Sequence, residues 1–446
     1  MRRHLSNAGY GVLDYISYPL GMLLVAPIVL HRLGAAEYGL WMIATAVISA
    51  GAIIASGCCD ACIQRVAHLR GNGDFTLMPQ TVRSMLGINI VLGSALAIAV
   101  WIAAPYAAGH IVAFSHTPLK ECVISLRIAS VCILARAIEG VGVGVRRSFE
   151  NYRGAVYIAT AIRLLILASA AVLAYFRQTV VSILMATAIA LLLGAWLQFL
   201  QPRKLFGNGV LLPSFHPAET RALLGKGVFA WLQAIGGVVF SQFDRILLGF
   251  SLGALAVAPY VLCVQFAHPI YGLSTYGLNF IFPHISSRAG TISSSGMKRM
   301  LLKAFICNLL LVAFGAGILL LVGDRLIRVW AGPAVALSAA RILPPIVLGS
   351  ALMGLSVTGT YALQALGHFR TVAYISLAGK ASMLLLMVDL LHRQGLQGLA
   401  LSRLCYGAVA LLVYLPLIRL LNKGNEKERR VSLSATPLEA QEGSTP

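Results

Sequence analysis

GKGVFAWLQAIGGVVFSQFDRILLGFSLGALAVAPY, residues 225–260, reads as one long apolar helix. It carries an acid and a base, Asp244 and Arg245, near its far end and turns at Gly253. About 20 apolar residues are enough for a helix to cross ~30 Å of hydrocarbon. Lipid offers no partners to backbone N–H and C=O groups, so such a run must satisfy them internally as a helix. A charge at that depth persists only with a partner, a wet cavity or a ligand. Neighbours in sequence point ~100° apart on a helix. Asp244 and Arg245 are therefore expected to reach different neighbours, in a gate or structural role at the outer third of this span.

The rest of the chain is of the same kind. Its 446 residues are 58% hydrophobic and 11% charged, with a mean hydropathy of +0.82. That leaves too little polar surface to wrap a soluble globule. The fold expected is all-α and integral to the membrane. Twelve spans are placed near 10–30, 39–57, 84–104, 121–144, 155–175, 179–200, 228–250, 258–282, 301–322, 342–362, 372–391 and 397–419. Met1 to His4 before an apolar run resemble the start of a secretory signal. Asp14 interrupts that run and no small-residue cleavage site follows, so a retained first helix is expected.

The net charge of +20 invites a nucleic-acid partner, but the placement of the basic residues argues against one. They crowd one set of connecting segments, at 2–3, 65–83, 146–153, 203–226, 288–303 and 419–430. The opposite set holds only Arg32, Lys120, Arg177, Arg325, Arg328, Arg341 and Arg393. This is the positive-inside bias, and it puts both termini in the cytoplasm. Cys58, Cys59 and Cys62 cluster at an inner helix end. They lack the fourth ligand that structural zinc takes, so no metal site is expected.

The stretch at 225–260 also opens a second copy of the first lobe. Gly9, Gly11 and Val12 correspond to Gly225, Gly227 and Val228. Leu33-Gly34-Ala35 corresponds to Leu252-Gly253-Ala254, and Phe149 to Phe369, all at an offset near 216–220 residues. A steady offset over such a range points to a duplicated six-helix unit. Six is even, so the copies share a topology and form a parallel pseudo-two-fold repeat. The expected organisation is an N-lobe over 1–205, a cytoplasmic linker over 206–226, a C-lobe over 227–420 and a disordered cytoplasmic tail over 421–446. Under the same offset Arg163 and Lys380 fall within about one helical turn of equivalence.

Several motifs, in their order and spacing, resemble the polysaccharide transporters of the multidrug/oligosaccharidyl-lipid/polysaccharide (MOP) superfamily, the Wzx-type O-antigen flippases. They are LGAAEYGLW at 33–41, DRILLG at 244–249, LGALAVAPY at 252–260, FPHIS at 282–286, Trp-Ala-Gly at 330–332, YALQALGHFR at 361–370 and QGLQGLALS at 394–402. The resemblance runs to about residue 420. It implies a two-lobed transporter of the bacterial inner membrane that flips undecaprenyl-diphosphate-linked oligosaccharide by alternating access, for O-antigen, capsule or exopolysaccharide synthesis. It also implies a polysaccharide polymerase and a chain-length regulator as partners, besides membrane lipids. GVGVRRSFENY at 142–152 departs from the family's pattern after the fourth span.

The charges point the same way. Arg136 and Glu139, three residues apart, share a helix face and should neutralise each other. That leaves Arg127, Arg163, Lys380 and Arg403, with Arg245, against Asp14, Asp244 and Asp389. A net positive cavity suits a diphosphate, which Arg binds with a planar fork and Lys with a point charge. Arg127, Arg163, Lys380 and Arg403 are the substrate candidates. Asp14, a carboxylate in low dielectric, is the candidate for H+ or Na+ coupling. The main alternative is an ion-coupled multidrug (MATE-like) exporter of the same superfamily, which would want an acidic cavity. No HExxH, Walker loop or GxSxG is present, and no enzymatic activity or organic cofactor is expected.

Overall fold

The computed structural model describes residues 21–56, 59–112, 118–149, 151–206, 212–278, 285 and 294–422. Those residues are helical almost throughout, with no strand among them. The helices are α1 (Gly21–Leu33), α2 (Ala35–Ser56), α3 (Cys59–Asn72), α4 (Leu77–Val112), α5 (Leu119–Ser148), α6 (Tyr152–Tyr175) and α7 (Val180–Phe206). After these come α8 (Pro217–Gly277), α9 (Ser294–Ala331), α10 (Pro333–Ala340), α11 (Leu343–Ala365), α12 (Phe369–Gln394) and α13 (Leu396–Ala410), the last running through a 3-10 turn at Leu411–Val413. Ten described helices are long and apolar enough to cross a membrane. The membrane fold read from hydropathy is therefore observed.

Two connections differ from expectation. The connection expected between the spans at 10–30 and 39–57 shrinks to Gly34, whose φ of 90° glycine adopts without strain. The inner loop placed at 58–83 folds as α3 plus a short turn at 73–76. Burial of Cys59, Cys62, Val66 and Leu69 against α4 and α5 supplies the apolar stripe that makes α3 a helix.

Duplication is visible in the backbone itself. Gly253, with φ 77°, breaks α8 into two arms where Gly34 separates α1 from α2. The turns after α6 and α12 carry a second positive-φ pair at the same offset, Arg177 (φ 54°) and Gly395 (φ 58°). A third match is a side chain. Asn89 on α4 is buried and its Nδ2 donates to the Ala137 carbonyl on α5 at 2.9 Å. Asn308 on α9 is equally buried and its Nδ2 donates to the Gly354 carbonyl on α11, also at 2.9 Å. A buried amide is tolerated only where it is hydrogen-bonded, so each Asn pins its helix to the next at a set depth.

The described residues cluster into two compact units. One runs to Val261 and takes in Val329–Val335; the other holds Leu262–Arg328 and the chain from Ala336 onward. In the first, α5 packs along both α4 and α7; in the second, α13 lies along α11 and α12.

Candidate functional site

Among the four substrate-candidate cations, Arg127 and Arg163 stand in the first unit on α5 and α6, and Lys380 and Arg403 in the second on α12 and α13. Each is half-buried. The Arg127 guanidinium lies over the Trp101 ring, 5.0 Å from its centroid. Its Nε is buried with no hydrogen-bond partner among the described residues. Cation–π attraction of this kind holds the guanidinium without using its N–H groups as hydrogen-bond donors.

Arg403 is set by a close helix crossing. A Cβ on Gly349 of α11 would lie 2.9 Å from the Arg403 carbonyl oxygen, so the absence of a side chain there lets α13 approach. Three residues along α13, Tyr406 lies within electrostatic reach of Arg403 and Tyr271 and hydrogen-bonds Ser376 of α12. Tyr361 donates to the Thr275 carbonyl at 3.1 Å. Tyr406 therefore stands beside Arg403, and residue-by-residue reading of the sequence had not singled it out.

The paired charges are located too. Arg136 Nη1 donates to Glu139 Oε2 at 2.9 Å, with the carboxylate buried, as the three-residue spacing required. Asp244 is 1% exposed and accepts from the Tyr260 hydroxyl at 2.7 Å and from the Arg245 backbone N–H at 2.8 Å. Its phenol partner comes from the far arm of α8, so the bond spans the Gly253 break. The Arg245 guanidinium is half-buried and in no ion pair among the described residues. Asp389 was counted among the deep acids, and this needs correction: it pairs with Arg393 at 2.9 Å on an exposed face near the end of α12. Asp14 lies outside the described residues.

Two further polar clusters are built in the first unit. Arg146 is 7% exposed at the end of α5. Its Nε donates to the Gln198 carbonyl at 3.0 Å, Nη2 to the Leu197 carbonyl at 2.8 Å and Nη1 to Gln201 Oε1 at 3.1 Å. Pro202 explains the first bond. It sits four residues after Gln198 inside α7 and lacks the N–H that would close the helix there. The second cluster is a clamp. Arg65 on α3 grips Glu219 on α8 with two bonds, of 2.6 and 3.1 Å, and Thr81 on α4 adds a third at 2.8 Å. The Arg65 guanidinium holds the Glu219 carboxyl below its ordinary range, against the opposing effect of burial. Beside it, Arg83 Nε donates to the Leu212 carbonyl at 2.9 Å, and the His216 N–H to Ser84 Oγ at 3.2 Å. The segment at 212–219 is thereby fastened to α3 and α4.

Among the described residues no group of three His, Cys, Asp or Glu side chains is placed to hold a metal ion. The arrangement offers cations and aromatic faces, which bind anions and sugars.

The whole-chain fold is shared with solved transporters. A multidrug resistance MATE family transporter of the MOP superfamily, in an inward-facing conformation, is 12% identical, with a TM-score of 0.71 over 93% of this chain and 99% of that one. The lipid II flippase MurJ, in an inward closed conformation, is 14% identical, with a TM-score of 0.72 over 96% and 93%. A eukaryotic MATE transporter, AtDTX14, is 12% identical, with a TM-score of 0.59 over 95% and 99%. No curated protein sequence matches. Residues 8–288, more than half of the chain, match the family described as polysaccharide biosynthesis protein. The chain belongs to that family, and its fold is the one that the MOP superfamily transporters share.

Proposed function

We propose that this protein is a flippase that moves undecaprenyl-diphosphate-linked oligosaccharide across the bacterial inner membrane by alternating access, with both termini in the cytoplasm. The observation that carries the reading is the sign of the buried charge. Of the described acids in or beside spans, Glu139 is paired with Arg136, Asp324 with Arg328 and Asp389 with Arg393, Asp244 accepts from Tyr260, and Glu37 and Glu121 stand in the first turns of their helices. Arg127, Arg163, Arg245, Lys380 and Arg403 outnumber the acids at depth, so the spans are net positive by count, which attracts a diphosphate and repels a cationic drug. Membership of the polysaccharide biosynthesis family supports the same substrate class. The lobes of the proposal are 1–205 and 227–420, moving about the linker at 206–226, with Asp14 as the H+ or Na+ coupling group. A polymerase and a chain-length regulator would take the flipped product onward.

The MATE fold likeness favours a second reading, an ion-coupled multidrug exporter. One experiment separates the two. Deletion of the gene should cause lipid-diphosphate oligosaccharide to accumulate in the inner leaflet, and Arg163→Ala with Lys380→Ala should fail to restore export. Full complementation by that double variant would sink the cationic-cavity reading. Accumulation of cationic dyes without accumulation of lipid-linked sugar would establish the exporter instead.

A further inference from the structure

A groove of about 570 Å³ opens between α1 and α6, at the end of the first unit next to Gly34. That volume is in the range of small-molecule sites. Its walls are Pro27, Ile28, Ala171 and Val172, and its mouth carries His31, Arg32, Tyr175 and Phe176. Ile28, Val172, Tyr175 and Phe176 are all exposed, so the groove opens outward from the helix pair with an apolar floor. The mouth is basic. The Arg32 guanidinium is stacked on the Tyr175 ring at 4.6 Å, and among the described residues no carboxylate pairs with it. His31 Nδ1 lies 2.8 Å from the Pro27 carbonyl oxygen. A carbonyl oxygen only accepts, so Nδ1 carries the proton and Nε2 is left as an acceptor for a ligand hydroxyl.

We propose that this groove holds an anionic membrane phospholipid, with the headgroup phosphate on Arg32, a headgroup hydroxyl donating to His31 Nε2 and an acyl chain along Ile28 and Val172. Two features commit the site to that occupant. A basic mouth above an apolar, exposed trough complements a molecule with a phosphate at one end and hydrocarbon at the other. The stack on Tyr175 also holds the Arg32 fork in one plane, so less freedom is lost when it grips two phosphate oxygens. None of Arg127, Arg163, Lys380 and Arg403 lines the groove, and the proposal does not depend on the substrate proposed for them.

Native mass spectrometry on the full chain tests this, with detergent micelles containing equal amounts of phosphatidylglycerol and phosphatidylethanolamine. Phosphatidylglycerol should be retained severalfold over phosphatidylethanolamine. Arg32→Gln with His31→Gln should lower that retention about tenfold, the loss of one charged contact. Val172→Trp keeps Arg32 and His31 but fills the trough, and it should lower retention as well. It guards against a double variant that merely folds poorly. Equal retention of the two lipids, or undiminished retention of phosphatidylglycerol in the double variant, would overturn the proposal. Displacement by soluble glycerol phosphate as readily as by added phosphatidylglycerol would also overturn it, because the ligand would then be a free phosphate.

Discussion

Arg146 and Pro202 make a pair whose coupling can be worked out before it is measured. The Gln198 carbonyl is buried on α7, and Pro202 withholds the N–H that would normally serve it. Arg146 Nε, at 3.0 Å, supplies the donor from α5 instead. Arg146→Met replaces the side chain with an apolar one of similar reach and orphans that carbonyl, at a cost of about 1–3 kcal/mol. The other two acceptors lose less. Leu197 keeps its ordinary helical donor, and Gln201 Oε1 still accepts from Asn151 Nδ2 at 2.6 Å. Pro202→Ala returns the missing N–H. Its general benefit to helix α7, up to ~3 kcal/mol, is the same whether Arg146 is present or not and cancels in a double-mutant cycle. The remaining interaction should be about 1–2 kcal/mol, with Pro202→Ala stabilising the Arg146→Met variant more than the wild type. Equilibrium unfolding in mixed micelles on an SDS titration, followed by tryptophan fluorescence, measures all four corners. Additivity within about 0.5 kcal/mol would refute the reasoning, because it would mean that Arg146 does not stand in for the proline's lost donor.

Three other outcomes are expected. Asn89→Leu and Asn308→Leu should each destabilise the protein by about 1–2 kcal/mol in the same titration. Their effects should add within about 0.5 kcal/mol, since the two amides belong to separate compact units. Tyr260→Phe removes the 2.7 Å bond onto Asp244 and should cost about 1–3 kcal/mol. Asp244→Asn, which keeps an acceptor for the phenol, should cost less. The Arg65–Glu219 clamp gives a pH dependence with a definite sign. Glu219 has its folded pKa depressed, so its stabilisation is complete above the ordinary carboxylate value of 4.5 and is lost as pH falls through the depressed one. Arg65 is about one-third exposed, which screens the pair to roughly 1 kcal/mol. The stability gap between wild type and Glu219→Gln should therefore close on acidification below about pH 4.5 and stay constant from about pH 6 to 8.

Much of this architecture could be read from residues alone, and the misses have physical causes. Hydropathy located the spans because lipid permits little besides apolar helix. The triplets around Gly34 and Gly253 were legible as a pair because glycine serves a positive φ that other residues avoid. The spacing of Arg136 and Glu139 was enough to pair them. Asp389 was misplaced although Arg393, four residues on and on the same face, was there to be seen. Counting charges by span ignored the face. Arg146 looked like part of a loop because of the basic run RRSFENYR. The helix in fact continues to Ser148, and Asn151 caps the next one by accepting from the Gly154 N–H at 3.0 Å. Asn89 and Asn308 drew no notice because one amide barely changes the hydropathy of a long apolar run.

The duplication offers a way to rank the polar residues that remain. Whatever both copies need in order to pack should recur at the repeat offset, as the buried asparagines do. A charge present in one copy only, opposite an apolar residue in the other, is not demanded by the shared packing and needs its own explanation. Arg146 has one in the carbonyl freed by Pro202. Arg127 falls opposite Ile346, and the neighbour that holds it is an aromatic ring, which takes no hydrogen bond from its buried Nε. Arg403 falls opposite Leu184, and a side-chain-free crossing at Gly349 sets its backbone. Neither position repeats, yet each is held in place by its surroundings. The substrate proposed above, with a charged diphosphate at one end and sugars at the other, has no two-fold symmetry. The residues that read it are expected where the two copies have diverged.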